Sequence, residues 1–300
     1  MKVVIGVDGS TESLEAVRFT GRLLSGDEHE IQLYYSAPPK LGTGAELEPG
    51  VLERARGALG SAVFQEARSR LPVPLREHVT ETLGGQEPAH GLVLAADKQD
   101  ADLIVVGARG LGGFQEVLLG SVSKSVAHES NRPALIVRSS KNAEPKPLRA
   151  LLACDRTPAS EEASRFINRL HWPADCFGRV VSVVESVVSE IPAWLREAAE
   201  QEDAEAVASV LSAEREKCEE QLQRLSGELP DAFRREPPLI REGGPAQQIL
   251  ETIRDERIDL AIVGSRNLSG WRRVWMGSVS DKVLNLAPCS VLIVRFPEEP

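Results

Sequence analysis

The feature that most constrains this chain is that it says the same thing twice. DLIVV at 102–106 returns as DLAIV at 259–263, and Gly120-Ser121-Val122-Ser123 returns as Gly277-Ser278-Val279-Ser280. ALIVR at 134–138 returns within SVLIVR at 290–295, and Gly85-Gln86-Glu87-Pro88-Ala89 is echoed by Gly243-Gly244-Pro245-Ala246. Self-similarity at this period means two copies of one domain. A length of 300 residues suits two ordinary cores. The expected division is 1–140, a linker at 141–147 (KNAEPKP, polar and proline-bearing), and 148–300.

Within each copy, short apolar runs alternate with helical stripes. In the first, Lys2 to Val7, Ile31 to Tyr35, His78 to Leu83, Leu103 to Val106 and Pro133 to Arg138 read as strands. Between them lie stripes such as Ala16, Phe19, Leu23 and Leu24, then Leu52, Ala55, Leu59, Ala62, Val63 and Ala67. Continuous apolar strands separated by helices belong to a parallel sheet covered on both faces. The second copy opens with RALLAC at 149–154 and continues through the stripe Ala163, Phe166, Ile167 and Leu170 to RVVSVV at 179–184. It carries an extra charged helical segment near 186–230, with a partial stripe of Leu211, Cys218 and Leu222. This segment is expected to be a solvated helix over one sheet face.

Composition excludes several classes. The chain is 42% hydrophobic and 27% charged, with a formal net charge of −10. An acidic balance argues against a nucleic-acid backbone or an anionic membrane as a general partner. It leaves room for a small anion held by backbone N–H groups. The four cysteines form no C-x-x-C pair, so neither a zinc site nor a disulfide frame is expected. Cys154 and Cys289 lie in apolar strands and should be buried; Cys218, on the charged helix, is expected to be exposed. The start, MKVVIGVDGS, lacks a signal-peptide pattern, and no run of eighteen apolar residues occurs, so a cytoplasmic protein is expected.

The chemistry concentrates after the fourth strand. Gly107, Gly110 and Gly120-Ser121 are spaced G-x2-G-x9-G-S, and a helix is expected to open at Ser121. Glycines let a backbone approach an anion with no Cβ between them. The first N–H groups of a helix have no partner inside it and point at whatever sits there. Ser121 and Ser123 add hydroxyls. Neither the Walker-type nor the dinucleotide glycine pattern is present. Asp8, at the end of strand one, would face the same crevice if strands one and four are neighbours. It would suit the sugar or base end of a nucleotide. It is equally a cap for the following helix, with Ser10. Trp271, Arg272, Arg273 and Trp275 read as a solvated loop or a clamp beside the ligand.

GVDGS, the turns before the third long helix, DLIVVGARG, the glycine loop and PALIVR together resemble the universal stress protein family, twice over in tandem, with only Glu185 to Pro230 outside the likeness. The resemblance implies an α/β fold of two repeated doubly wound domains, each a five-stranded parallel sheet in the order 3-2-1-4-5. It implies an ATP-binding, stress-response regulatory protein. Asp8 and Tyr35 would stand at the adenosine end, with Gly107, Gly110, Gly120, Ser121, Val122 and Ser123 at the phosphates. Arg109 and Ser10 would stand close by, and Mg2+ would accompany the triphosphate. In the second copy the matching residues are Asp155, Val183, Gly264, Gly277, Ser278, Val279 and Ser280, with Asn267 in the place of Gly110. Asn tolerates positive φ, but its side chain would crowd a phosphate. Members pair through their fifth strands, which implies an internal pseudo-dimer, a possible homodimer and an unknown protein partner. Two alternatives stay open on the residues alone: a slow ATPase or phosphotransferase, and a scaffold that binds no nucleotide.

Overall fold

The computed structural model describes residues 1–24, 28–37, 49–110, 119–139, 147–155, 157–185, 208–209, 212–225, 227–266 and 276–296. The chain divides into two compact units, one from Met1–Glu144 and one from Pro145–Asn267 with Met276–Pro300. Residues 141–146 of the expected linker, the Trp271–Trp275 loop, Asn267 and Leu211 lie outside the described residues.

The first unit runs β1 (Lys2–Gly6), α1 (Thr11–Leu23), β2 (Glu30–Ser36), α2 (Pro49–Ser69), α3 (Val73–Arg76), β3 (Val79–Gly84), α4 (Pro88–Gln99), β4 (Leu103–Gly107), α5 (Ser121–Glu129) and β5 (Ala134–Val137). Its strands lie in the order β3-β2-β1-β4-β5, all parallel. Val3, Val4, Ile5, Ile104, Val105 and Ile136 are buried, as a sheet covered on both faces requires. The second unit runs β6 (Arg149–Cys154), α6 (Pro158–Ile167), β7 (Phe177–Val184), a helix α7 over 212–225, β8 (Leu239–Glu242), α8 (Pro245–Asp255), β9 (Leu260–Arg266), α9 (Ser278–Leu286) and β10 (Ser290–Phe296). Its order, β10-β9-β6-β7-β8, is the same topology. Strands one and four are therefore neighbours in both units, as β1–β4 and β6–β9.

The repeated aspartate before strand four has a job in both. Asp102 Oδ2 accepts from the Lys2 amide at 2.8 Å, and Asp259 Oδ2 accepts from the Arg149 amide at 3.0 Å. Each fixes the register at which strand four meets strand one. The preceding helix ends in a left-handed residue in both, Asp100 (φ 53) and Arg257 (φ 50).

Two sequence expectations are corrected. The stripe on α2 is corrected in part: Leu59 is 43% exposed and Ala62 is exposed, Gly60 and Phe64 are buried in their place, and Ala67 is buried as expected. Cys218 is not exposed but 4% accessible, because with Leu222 and Leu225 it forms the buried stripe of α7. β8 is the third strand that a five-stranded second copy implies; LIRE is short and half polar, as suits an edge strand.

Tyr34 fills a slot that glycine makes. A Cβ on either Gly84 or Gly91 would collide with its hydroxyl. Burial, and then the nearby Glu87 carboxylate, raise the Tyr34 pKa. Gly91→Ala should therefore cost about 1–3 kcal/mol through overpacking. Gly57→Ala, inside α2 with nothing within 4 Å of its Cβ position, should gain about 0.5–1 kcal/mol. Urea unfolding of the two variants gives both signs. All four cysteines are free and buried, and burial pushes the Cys154 thiol up to about 12. A thiol reagent at neutral pH should label the native protein slowly and all four sites only on unfolding.

Candidate functional site

The turn after β1 is built from three short polar side chains. Asp8 Oδ1 accepts from the Ser10 amide at 2.9 Å and from the Ser10 hydroxyl at 2.5 Å. Ser10 is the N-cap of α1, in extended conformation, and its Oγ accepts from the Ser13 amide at 3.2 Å. Ser13 Oγ donates to Ser10 O at 3.0 Å and accepts from the Asp8 amide at 3.3 Å. Gly9 sits at φ +81, where other residues are strained. Of the roles expected for Asp8, capping passes to Ser10, which Asp8 Oδ1 holds in place. Oδ1 holds the turn, and Oδ2 faces the glycine loop: a Cβ on Gly110 would lie 2.5 Å from it. Ser10 is buried and its hydroxyl is committed to this turn, so it positions Asp8 rather than offering a free donor.

The loop after β4 comes to the same place. A Cβ on Gly107 would lie 2.7 Å from the Glu12 carbonyl carbon and 2.8 Å from both Glu12 O and Ser13 N. Only glycine lets strand four pass this close to the first turn of α1. The Ala108 amide donates to Val137 O at 2.7 Å, and Ala108 O accepts from the Gly120 amide at 2.8 Å. The loop is thereby pinned at both of its described ends. Ser123, expected beside a phosphate, is buried and donates to Ala108 O (2.8 Å) and Gly120 O (2.9 Å), which makes it a tie of the loop. Gly120 caps α5 in extended conformation with no side-chain bond. The amides of Ser121 and Val122 open the helix with no acceptor inside it, at the positive end of its dipole. Ser121 is exposed and Val122 half-buried. Arg109 Nη2 stands 3.8 Å from Glu12 Oε1, beside Gly110. Residues 111–118 lie outside the described residues.

Across β1, Tyr35 is 9% exposed and meets Phe64 of α2 edge-on, ring centroids 6.4 Å apart. Phe64 lies outside the stripe expected for α2. Val63 lies on the same helix, 3.5 Å from the Cβ position of Gly9.

The second unit copies the turn. Asp155 Oδ1 accepts from the Thr157 amide (2.9 Å) and hydroxyl (2.5 Å), and Thr157 caps α6. Gly264 is pressed on the Ala159 carbonyl and Ser160 N as Gly107 is on Glu12 and Ser13. Gly277 caps α9 without a side-chain bond, ahead of Ser278 and Val279. Ser280 Oγ donates to Gly277 O at 3.3 Å, as Ser123 does to Gly120. One assignment is wrong. Val7 follows the Gly6–Tyr34 pair, which sets Tyr35 beside it, whereas the neighbour of Cys154 is Ser182. The counterpart of Tyr35 is Ser182, and Val183 points to the opposite face, since a slip of one residue inverts every side chain of a strand.

Comparison with known proteins follows the same two-fold division. The model of the universal stress protein family matches residues 1–138 and again 148–295. The chain belongs to the universal stress protein family. A universal stress protein of Mycolicibacterium smegmatis is 28% identical over 314 residues, covering 98% of this chain and 96% of its own. One from Mycobacterium tuberculosis is 27% identical over 326 residues, with the same coverage of both. The crystal structure of a universal stress protein from Archaeoglobus fulgidus shares the fold across 98% of both chains, with a TM-score of 0.65 at 17% identity. The family match spans the charged segment at 186–230, and α7 stands between β7 and β8 as α2 stands between β2 and β3. Among the described residues no helix is long and apolar enough to cross a membrane, and no cluster of His, Cys, Asp or Glu could cage a metal.

Gly107→Ala and Gly264→Ala should each cost about 1–3 kcal/mol, because the obstructing atoms are backbone. Gly120→Ala, whose nearest neighbours stand at 3.4 Å, should cost under about 1 kcal/mol. Thermal unfolding separates the two classes.

Proposed function

We propose that the first unit is an ATP-binding regulatory module, with nucleotide occupancy altering conformation or partner contacts. The observation that carries this reading is the approach of Gly110 to Asp8. A carboxylate oxygen and a side-chain-free loop residue face each other at the carboxyl ends of β1 and β4, where the winding of the sheet reverses. The uncapped start of α5 lies at the other end of the same loop.

In this reading the amides of Ser121 and Val122, with the Ser121 hydroxyl, take the phosphates, and Gly107, Gly110 and Gly120 keep the approach clear. Arg109, now near Glu12, swings to the phosphate tail. Asp8 Oδ2 accepts from ribose hydroxyls, and the chain at Tyr35 borders the base. The residues fit this ligand: donors gather at the loop end, an acceptor at the Asp8 end. Mg2+ would be carried in by the triphosphate itself, which is how this ion commonly binds. The protein acts by holding the nucleotide.

Titration with labelled ATP should show saturable binding by the whole chain. Gly110→Val and Gly120→Val should each weaken it at least about tenfold, a loss of ~1.4 kcal/mol. Unchanged affinity in both variants would end the assignment. Timed product analysis with Mg2+ should show retained ATP; many turnovers per minute would replace the module with an ATPase.

A further inference from the structure

The second unit carries a pocket at the opposite end of its strands from the crevice described above. Ligands of an open α/β sheet usually gather at the carboxyl ends of its strands. This pocket lies toward the amino ends of β7 and β8. Among the described residues its lining runs from Leu222 of α7 through Leu229 to Pro238, the residue before β8, with Val180 of β7 beneath. Its volume is about 380 Å³, inside the roughly 300–1,000 Å³ of small-molecule sites.

The walls are fixed by contacts of their own. Phe233 rests on the main chain of β7: a Cβ on Gly178 would stand 2.6 Å from its Cγ and 2.8 Å from both Cδ atoms. Trp172 meets the same ring edge-on, centroids 4.9 Å apart. The ring is clamped and cannot swing in to fill the space. Arg235 ties the outer wall to the segment before β7, donating from Nη1 to Cys176 O at 3.1 Å and from Nη2 to Ala174 O at 3.0 Å. Glu236 accepts from Arg179 Nη1 at 2.9 Å, and Asn168 Nδ2 donates to Glu228 O at 2.8 Å. Pro237 and Pro238 stiffen the last stretch, since each fixes φ and has no N–H to donate.

The lining has two characters. Val180, Leu222, Leu229 and Phe233 are 2–4% exposed and form an apolar floor. The charged residues, Arg234, Arg235 and Glu236, stand on the exposed rim. Arg234 pairs with Asp231, and Glu236 with Arg179. The Arg235 guanidinium is held by main-chain carbonyls, which orient it without cancelling its charge. Each of its Nη nitrogens carries a second hydrogen beyond the one so used. A planar cation above an apolar floor matches a molecule with an apolar body and one carboxylate end.

We propose that this pocket is a second ligand site, for a small carboxylic acid whose aromatic or hydrocarbon body lies on the floor and whose carboxylate meets Arg235 at the rim. The site shares no residue with the nucleotide cleft of the first unit, and it stands whether or not that cleft takes ATP.

Calorimetric titration of the full chain with cinnamate, a flat aromatic acid, should show saturable binding at one site. Cinnamamide, the same body without the charge, should bind at least about tenfold more weakly. Leu229→Trp fills the pocket and should remove cinnamate binding. No saturation at millimolar cinnamate, equal affinity for acid and amide, or full affinity in Leu229→Trp would each overturn the proposal. Should Leu229→Trp fail to fold, photolabelling of the unaltered chain with azidocinnamate decides. Adducts within 222–238 that excess cinnamate suppresses support the site, and adducts confined to other segments refute it.

Discussion

Gly107 meets the first turn of α1 backbone to backbone, and much of the first unit's arrangement follows from that contact. Without a Cβ, the end of β4 can press on Glu12 and Ser13. This holds the N-cap of α1 close to the loop that leaves β4. Asp8, Ser10 and Gly110 then share one crevice because the two segments carrying them cannot stand apart. Gly264 repeats the contact against Ala159 and Ser160. The constraint is steric, and it was kept in both copies while the residues lining the crevice changed.

The polar turn after strand one acts together with this contact. Asp8 Oδ1, Ser10 Oγ and Ser13 Oγ satisfy amides and hydroxyls that the helix start would otherwise leave bare. Two of the serines expected at the site, Ser10 and Ser123, spend their hydroxyls on internal ties, to Asp8 and to the Ala108 carbonyl. The groups that the nucleotide reading assigns to the ligand are instead main-chain amides, Ser121, Arg109 and the second oxygen of Asp8. A site built this way depends more on backbone path than on side-chain identity, and this makes a single Cβ at Gly110's position so consequential.

Much of this was legible in the sequence. The five-strand order followed from the family likeness, and the strands themselves from unbroken apolar runs such as Leu103 to Val106. The opening of α5 at Ser121 was visible in its glycine and serine. What escaped detection was set by packing rather than pattern. Leu59 is more apolar than Gly60, so hydropathy puts Leu59 in the stripe of α2, where the structure buries Gly60 and Phe64. Cys218 looked exposed among glutamates, yet α7 buries the narrow stripe on which it lies. Val183 fits by residue type, being aliphatic, whereas strand pairing assigns equivalence and gives it to Ser182. The slot under Tyr34 is made by Gly84 of β3 and Gly91 of α4, and the ring that fills it comes from β2, far outside any local window around the two glycines.

That slot leaves the molecule with an unusual optical and magnetic handle. The chain has only two tyrosines, neighbours on β2, so their rings project from opposite faces of the sheet. Tyr34 reaches toward Gly91 of α4, and Tyr35 rests on Phe64 of α2. Uniform incorporation of fluorotyrosine would give two fluorine resonances, one from each layer of helices. Both lie in the first unit, whereas Trp172, edge-on to Phe233, lies in the second. The protein thus has native reporters that distinguish one layer from the other and one half of the chain from its copy.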